Sequence, residues 1–446
     1  MSEETITLKP FSKPLENACV RLPGSKSISN RALLLAALSD SYVVLKGLLK
    51  SEDTELMINC LRALGVSIEE LGSDMVKVTG TGRNLPVTEA DLYVGTAGTV
   101  ARLLIGVLGT QQSGNYRIDG SDVMRKRPMD GLTDLLQQIG CEVEFLGESG
   151  ALPFILKPNG FARTELTVDA SASSQILSAV LMASVMADDD MCIHLSNNTV
   201  RQPYVIMTSR MMQSFGAPAV QWNEAFTEFV IPAFGRYHYN GAAYTIESDA
   251  SAASYFLTLP LVTDGALEVY HFDALGLQGD VAYADVARRI GARVQTIGSG
   301  VRVSYPDRLV HPLTYDFHPI SDTFMTLAAI APLLSKPVRI EGIAHTRQQE
   351  SDRVSAMATE LKKLGQHVEE EQDALHIFPD YRALLEVARE GVEIDTYKDH
   401  RIAMSFGILG CKDLFGDQFP WMTIRDPYCC AKTFPQFFDV LDSIHT

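Results

Sequence analysis

Apolar residues recur along the chain at helical spacing, and five such segments end in the same way. LRALGVSIEE, LLQQIGCEVEF, MMQSFGAPAV, VARRIGARVQT and ELKKLGQHVEE each run an amphipathic stretch into an apolar residue, a glycine and a strand-like segment. The glycines are Gly65, Gly140, Gly216, Gly291 and Gly365, at intervals of 75, 76, 75 and 74 residues. Glycine just beyond a helix takes the left-handed conformation that closes it, and a strand follows each time. One such coincidence means little, but five at a constant period predict a repeated supersecondary unit.

The same period recurs upstream. GSKSISNRALLLAAL, GTAGTVARLLIGVL, SASSQILSAVLMAS, SDASAASYFLTLPLV, SDTFMTLAAIAPLL and KDHRIAMSFGILG each open a second helix that is apolar nearly all round. A helix of that kind is buried inside its domain. The Ser, Thr, Asp and Gly residues at its start cap it and leave backbone N–H groups available. The pattern predicts six units of about 75 residues, each with two helices and intervening strands. They divide as three plus three, with a seam expected in the Gly- and Tyr-rich stretch GRYHYNGAAY, Gly235 to Tyr244.

Length and composition support that division. A chain of 446 residues suggests two domains of about 200 residues each. With 46% hydrophobic and 21% charged residues it has the make-up of a folded globular protein. No segment approaches the roughly 18 uninterrupted apolar residues of a membrane helix, and the opening residues do not read as a secretory signal. Seven cysteines without a framework read as reduced thiols, and the expected location is the cytoplasm. A formal charge of −17 argues against nucleic acid as a partner. It does not argue against small anions held by a local cluster of cations.

Several helix openings carry such cations. LPGSKSISNR sets Lys26 and Arg31 on a Gly- and Ser-rich turn at a helix start, where N–H groups and the helix dipole favour a phosphate or carboxylate. The spacing is not that of a nucleotide P-loop. DGSDVMRKRPMDG packs Arg125, Lys126 and Arg127 before Pro128; the run reads as a solvated face or as a forked grip on an anion. Asp322 in SDTFMTL reads as a helix N-cap or as a catalytic carboxylate. Glu350, Asp352 and Arg353 in QQESDRVSAMATEL resemble a capping box. YKDHRIAMSF places His400 beside Arg401, and CCAKTFPQFF places Lys432 before a Phe-Pro turn. Paired metal-ligand spacing and a nucleophile elbow are both absent from the sequence, and the adjacent Cys429 and Cys430 read as packing.

Taken in order, LPGSKSISNRALLLAA, GTAGTVARLL, MRKRPMDGL, DASASSQILSAVLMAS, PYVIMT, ESDASAASYFL, ESDRVSAMATEL, KDHRIAMSF and DPYCCAKTFPQFF closely resemble the 5-enolpyruvylshikimate-3-phosphate synthases of the enolpyruvyl transferase family. The resemblance covers essentially the whole chain. It implies an α/β fold of two domains, each of three βαβαββ-type units (an inverse α/β barrel). Residues 24–243 would form the first domain, residues 1–23 and 244–446 the second, and the cleft between them the active site. The implied activity is that of a 3-phosphoshikimate 1-carboxyvinyltransferase in the shikimate pathway to aromatic amino acids. It joins phosphoenolpyruvate to the 5-hydroxyl of shikimate 3-phosphate and releases phosphate through a tetrahedral intermediate. No metal or organic cofactor is implied, no nucleic acid or membrane partner, and a monomer is expected.

Carried over motif by motif, Lys26, Gly98, Arg127, Gln175, Arg353, Arg401 and Lys432 would bind phosphoenolpyruvate. Lys26, Ser27, Arg31, Ser173, Ser174, Gln175, Arg201, Tyr204, Asp322 and Gln349 would bind shikimate 3-phosphate. Asp322, Glu350 and Lys26 would handle protons, with His400 in support. Two trianion-like substrates explain so many cations, each charged contact being worth about 1.5–3 kcal/mol.

Departures from the family pattern gather mainly on the acceptor side. Arg201 stands where Ser is usual, Gln349 where Lys is frequent, and His345 where Asn is common. Thr96 and Leu103 flank the loop where the family's inhibitor glyphosate would sit. A relocated charge is expected, Arg201 supplying the phosphate contact that Gln349 cannot. A relative acting on a nucleotide sugar would carry a reactive cysteine near MRKRPMDG, and none is there. An RNA 3′-phosphate cyclase would want a basic surface. A catalytically dead relative would not be expected to keep Lys26, Asp322, Glu350 and His400 together.

Overall fold

A computed structural model describes residues 4–16, 18–171, 173–197, 200–306 and 311–445. The five periodic glycines all have positive φ: 89° at Gly65, 100° at Gly140, 83° at Gly216, 110° at Gly291 and 74° at Gly365. Each follows a helix and turns the chain into the next strand. A side chain there would be strained, which is why glycine recurs.

The second repeat shows the unit in full. Strand Glu89–Tyr93 leads into the helix Gly98–Leu108 and the parallel strand Asn115–Asp119; helix Asp130–Gln138 and the hairpin strands Glu142–Phe145 and Phe154–Lys157 follow. Every residue of helix Gly98–Leu108 is buried, as are all of His400–Leu409 and all of Phe324–Ile330. These largely apolar, fully buried helices therefore form the interiors of their units, each against the amphipathic helices and sheets around it.

Among the described residues, six sheets correspond to six repeats, five of four strands and one of three. The first and fourth repeats exchange their opening strands. Ala18–Arg21 directly precedes helix Lys26–Ala37 but pairs in parallel with Ala266–Tyr270. Tyr244–Thr245 precedes helix Ala250–Thr263 but pairs in parallel with Tyr42–Lys46. The sixth sheet joins Val392–Ile394 and Met422–Arg425 to the N-terminal strand Thr5–Thr7. Its last strand thus comes from the far end of the chain.

The chain divides into two compact units, Gly24–Glu247 and Met1–Pro23 with Ser248–Thr446. The second crossing falls after Glu247 rather than at residue 243, because the Tyr244–Thr245 strand belongs with the first sheet. The seam expected at Gly235 to Tyr244 therefore does not fall there; the stretch lies inside the unit Gly24–Glu247. Tyr237 is fully buried and its hydroxyl donates to the Met182 carbonyl at 2.8 Å, while the Gly235 amide bonds the Val185 carbonyl. Aromatic residues in this stretch are packing groups of the unit. No helix among the described residues is long and apolar enough to cross a membrane.

Candidate active-site residues

In the unit Gly24–Glu247, guanidinium groups gather around three helix starts. Ser25 caps helix Lys26–Ala37 by accepting from the Ile28 amide, which places Lys26 in the first turn. Lys26 pairs with Asp53 at 3.4 Å, and Asp53 is buried. One turn further on, Arg31 is only 1% exposed. It donates to Thr208 Oγ1 at 2.8 Å, Ser178 Oγ at 3.1 Å and the Ser27 carbonyl at 3.0 Å. All three partners are neutral. Burial pulls the Arg31 pKa down to about 10, with Tyr204 acting in the opposite direction. A buried cation with only neutral partners is costly, and an anionic ligand would offset that cost.

A second cluster lies at Gly98, the first residue of its helix. A Cβ placed there would stand 2.8 Å from Nη1 of both Arg102 and Arg127. Glycine at this position lets two guanidinium groups close onto the helix N-terminus. Arg102 donates to Gln175 Oε1 at 3.1 Å, and Gln175 Nε2 donates to Thr99 Oγ1 at 2.8 Å. Arg127 makes no ion pair among the described residues, and its Nε is buried without a partner. Helix Ser174–Ser184 joins the two clusters, since Gln175 and Ser178 lie one turn apart and serve Arg102 and Arg31 respectively. Ser173 caps that helix by accepting from the Gln175 amide, and the Ser174 hydroxyl is buried without a partner. Arg201 stands at the N-cap of helix Gln202–Ser214 and stacks its guanidinium 4.9 Å from the Tyr204 ring centroid.

The basic run thus separates. Arg127 faces Gly98, whereas Arg125 is gripped by both oxygens of Asp119 at 2.9 Å and serves the local structure.

The unit containing Ser248–Thr446 is built differently, with its cations matched by carboxylates. Arg353, 1% exposed, donates to Asp399 at 2.8 Å, Glu350 at 2.7 Å and Asp322 at 3.1 Å, and also bonds Gln349. Arg401 reaches the other oxygen of Asp322 at 2.9 Å, and Lys432 reaches the other oxygen of Glu350 at 3.0 Å. Lys432, Glu350, Arg353, Asp322 and Arg401 form one chain of alternating charge. Burial alone would lower the Arg353 and Arg401 pKa values. The neighbouring carboxylates, Asp399 for Arg353 and Asp322 for Arg401, more than reverse that and raise both.

Two expectations about caps change. Asp322 is not the N-cap of an α-helix; it lies in the 3₁₀ segment His318–Thr323, two residues before helix Phe324–Ile330. That position frees its carboxylate for Arg353 and Arg401. Helix Arg353–Lys363 is capped by Asp352 alone, which accepts from the Ser355 amide, and Glu350 faces Arg353 and Lys432 instead. His400 is buried in the first turn of its helix, whose cap is Asp399.

Sequence reading missed four charged groups at these sites: Asp53, Arg102, Asp280 and Asp399. Arg102 had a signal, being a lone cation in a helix otherwise apolar throughout. Asp280, buried, takes a hydrogen bond from Ser251 and interacts with Asp322, Arg401 and Asp249. Among the described residues, no group of three or more His, Cys, Asp or Glu residues is placed to hold a metal ion.

Comparison with known proteins gives matches over nearly the whole chain. The family model for EPSP synthase (3-phosphoshikimate 1-carboxyvinyltransferase) matches residues 12–441. A 3-phosphoshikimate 1-carboxyvinyltransferase of Opitutus terrae is 45% identical over 99% of this chain and 97% of its own length. One from Cellvibrio japonicus is 39% identical over 99% of both. A solved EPSP synthase from Acinetobacter baumannii, at 23% identity, shares the fold with a TM-score of 0.77 over 98% of this chain and 97% of that one. The chain belongs to the EPSP synthase family.

Proposed function

We propose that this protein transfers the enolpyruvyl group of phosphoenolpyruvate to the 5-hydroxyl of shikimate 3-phosphate, releasing inorganic phosphate. The observation that carries this is the contrast between the two cation sets. Arg31 and Arg127 have no acidic partner among the described residues, whereas Arg353 and Arg401 are held by the carboxylates a proton-transfer reaction needs.

On this reading Arg31, Ser27, Ser173, Ser174, Arg201 and Tyr204 bind shikimate 3-phosphate, together with Asp322 and Gln349. Lys26, Gly98, Arg127, Gln175, Arg353, Arg401 and Lys432 bind phosphoenolpyruvate, and Arg102 joins them. Both sets act on one pair of substrates. Addition requires the 5-hydroxyl to lose a proton and attack C2 of the enol while C3 gains one. Asp322 takes the hydroxyl proton; Lys26 and Glu350 are the groups that supply and later remove the methyl proton. Elimination then expels phosphate and restores the double bond, so the proton gained at C3 is lost again. The cations offset the repulsion between two anionic substrates as they are brought together. We assign this activity to a cytoplasmic monomer.

Phosphate release from phosphoenolpyruvate, followed after exhaustive metal chelation, tests the reading. Release is expected only when shikimate 3-phosphate is present. Release without that acceptor, or only with a nucleotide sugar, overturns it.

A further inference from the structure

Outside the charge chain lies a further buried carboxylate, Glu360. Glu360 lies two turns along helix Arg353–Lys363 from Arg353, seven residues on and therefore on the same face. Its exposure is 0%. Its oxygens accept from the Tyr397 hydroxyl at 2.7 Å and the Asp395 amide at 3.2 Å, and Lys363 pairs with it at 2.9 Å. Lys363 also holds Asp395 at 2.6 Å.

What Glu360 grips is a strained turn. Tyr397 and Lys398 are consecutive non-glycine residues in the left-handed region, with φ of 55° and 58°. Such residues cost about 1–3 kcal/mol each and persist where their surroundings over-determine them. The next three residues are Asp399, His400 and Arg401. Asp399 caps the helix and holds Arg353, and Arg401 holds Asp322. One helix face therefore clamps this segment at two points, Arg353 on Asp399 and Glu360 on Tyr397. The Tyr397 ring itself is exposed, so its hydroxyl reaches inward to a carboxylate although the ring needs no burial.

We propose that Glu360 is a positioning residue for the anion-binding start of helix His400–Leu409. Through the Tyr397 hydroxyl it holds the left-handed turn in the one form that presents Asp399, His400 and Arg401 together. This rests on the functional reading above, in which Arg401 binds phosphoenolpyruvate. Glu360 touches no substrate; it acts through Tyr397.

The test compares wild type with Tyr397→Phe, Glu360→Gln and Glu360→Leu. Tyr397→Phe deletes one hydrogen bond and keeps the ring. It is expected to raise the phosphoenolpyruvate KM severalfold with the shikimate 3-phosphate KM unchanged. Glu360→Leu is expected to do so by about tenfold or more, as for loss of a charged contact. Glu360→Gln, which keeps an acceptor for Tyr397, is expected to recover part of the loss. Thermal stabilisation by inorganic phosphate alone should weaken in the same order, a readout that needs no turnover and survives failure of the acceptor assignment. If Glu360→Leu does not fold, Tyr397→Phe decides. A lowered melting temperature with phosphoenolpyruvate KM and phosphate stabilisation unchanged overturns the proposal, as does an equal rise in both KM values.

Discussion

Asp322 and Arg401 are separated by 79 residues in sequence, yet Oδ2 of one lies 2.9 Å from Nη2 of the other. The second oxygen of Asp322 holds Arg353 at 3.1 Å. One carboxylate thus bridges two buried cations, and in the proposed reaction the same group takes a proton. Asp322→Asn is expected to lower kcat by about 10²–10⁴, the usual contribution of a general acid or base. Its melting temperature should also fall and be partly restored by inorganic phosphate, which supplies the missing negative charge. Steady-state kinetics and thermal melts with and without phosphate check both parts; an unchanged kcat removes Asp322 from the proton pathway.

Gly98 is held to its identity by two arginines. A methyl group there would stand 2.8 Å from Nη1 of Arg102 and of Arg127, so at least one guanidinium must move. Gly98→Ala is expected to raise the phosphoenolpyruvate KM about ten- to hundredfold, the equivalent of one charged contact. The shikimate 3-phosphate KM and the circular dichroism spectrum should stay close to wild type. Equal damage to both KM values would place Gly98 outside the phosphoenolpyruvate site.

Arg201 and Gln349 test whether charge has moved between positions. Gln349 is bonded to Arg353, and Arg201 rests on the Tyr204 ring at a helix start with no side-chain cap. Arg201→Ser is expected to raise the shikimate 3-phosphate KM while leaving that of phosphoenolpyruvate in place. Arg201→Ser with Gln349→Lys should recover much of the loss. Failure of the double variant to recover binding would show that the charge at 201 serves something else.

Asp280 predicts a pH dependence of stability. Burial first, and then the neighbouring Asp322 charge, lift its carboxyl to about 7. An unfolded aspartate titrates near ~3.9. Between those values the folded protein binds more protons than the unfolded chain, so this group's contribution to stability falls as pH rises and levels off above about 7. Every tenfold difference in proton affinity between the two states corresponds to about 1.4 kcal/mol. Asp280→Asn should therefore melt progressively higher than wild type as pH goes from 5 to 8, with the gap constant beyond. Calorimetry across that range checks it, and a gap that narrows with pH contradicts it.

The helix openings were legible in sequence because each repeat returns to the same problem, burying a largely apolar helix behind a polar start. Gly65, Gly140, Gly216, Gly291 and Gly365 announced the period because left-handed backbone selects glycine. Lys26, Arg353 and Arg401 stood beside recognisable caps. Arg102 left one trace, as the lone cation in its apolar helix, but its pairing with Arg127 across Gly98 did not show; Asp280 left none, since its importance comes from neighbours such as Asp322 that are distant in the chain. Glu360 looked like one more charge on an amphipathic helix until its partner Tyr397, 37 residues on, was in view. The exchanged opening strands were hidden for the same reason: pairing between Ala18–Arg21 and Ala266–Tyr270 leaves no local trace.

That exchange has a consequence for the order in which the protein assembles during synthesis. Residues Gly24–Glu247 contain every strand of their three sheets, so this unit is complete as soon as Tyr244–Thr245 emerges. The segments Thr5–Thr7 and Ala18–Arg21 are made first but must wait for Met422–Arg425 and Ala266–Tyr270. At about 5–20 residues per second, the N-terminal strand waits roughly 20–80 seconds for its partner. These early strands are thus among the last to find their partners, and the unit they belong to closes only after its neighbour is finished.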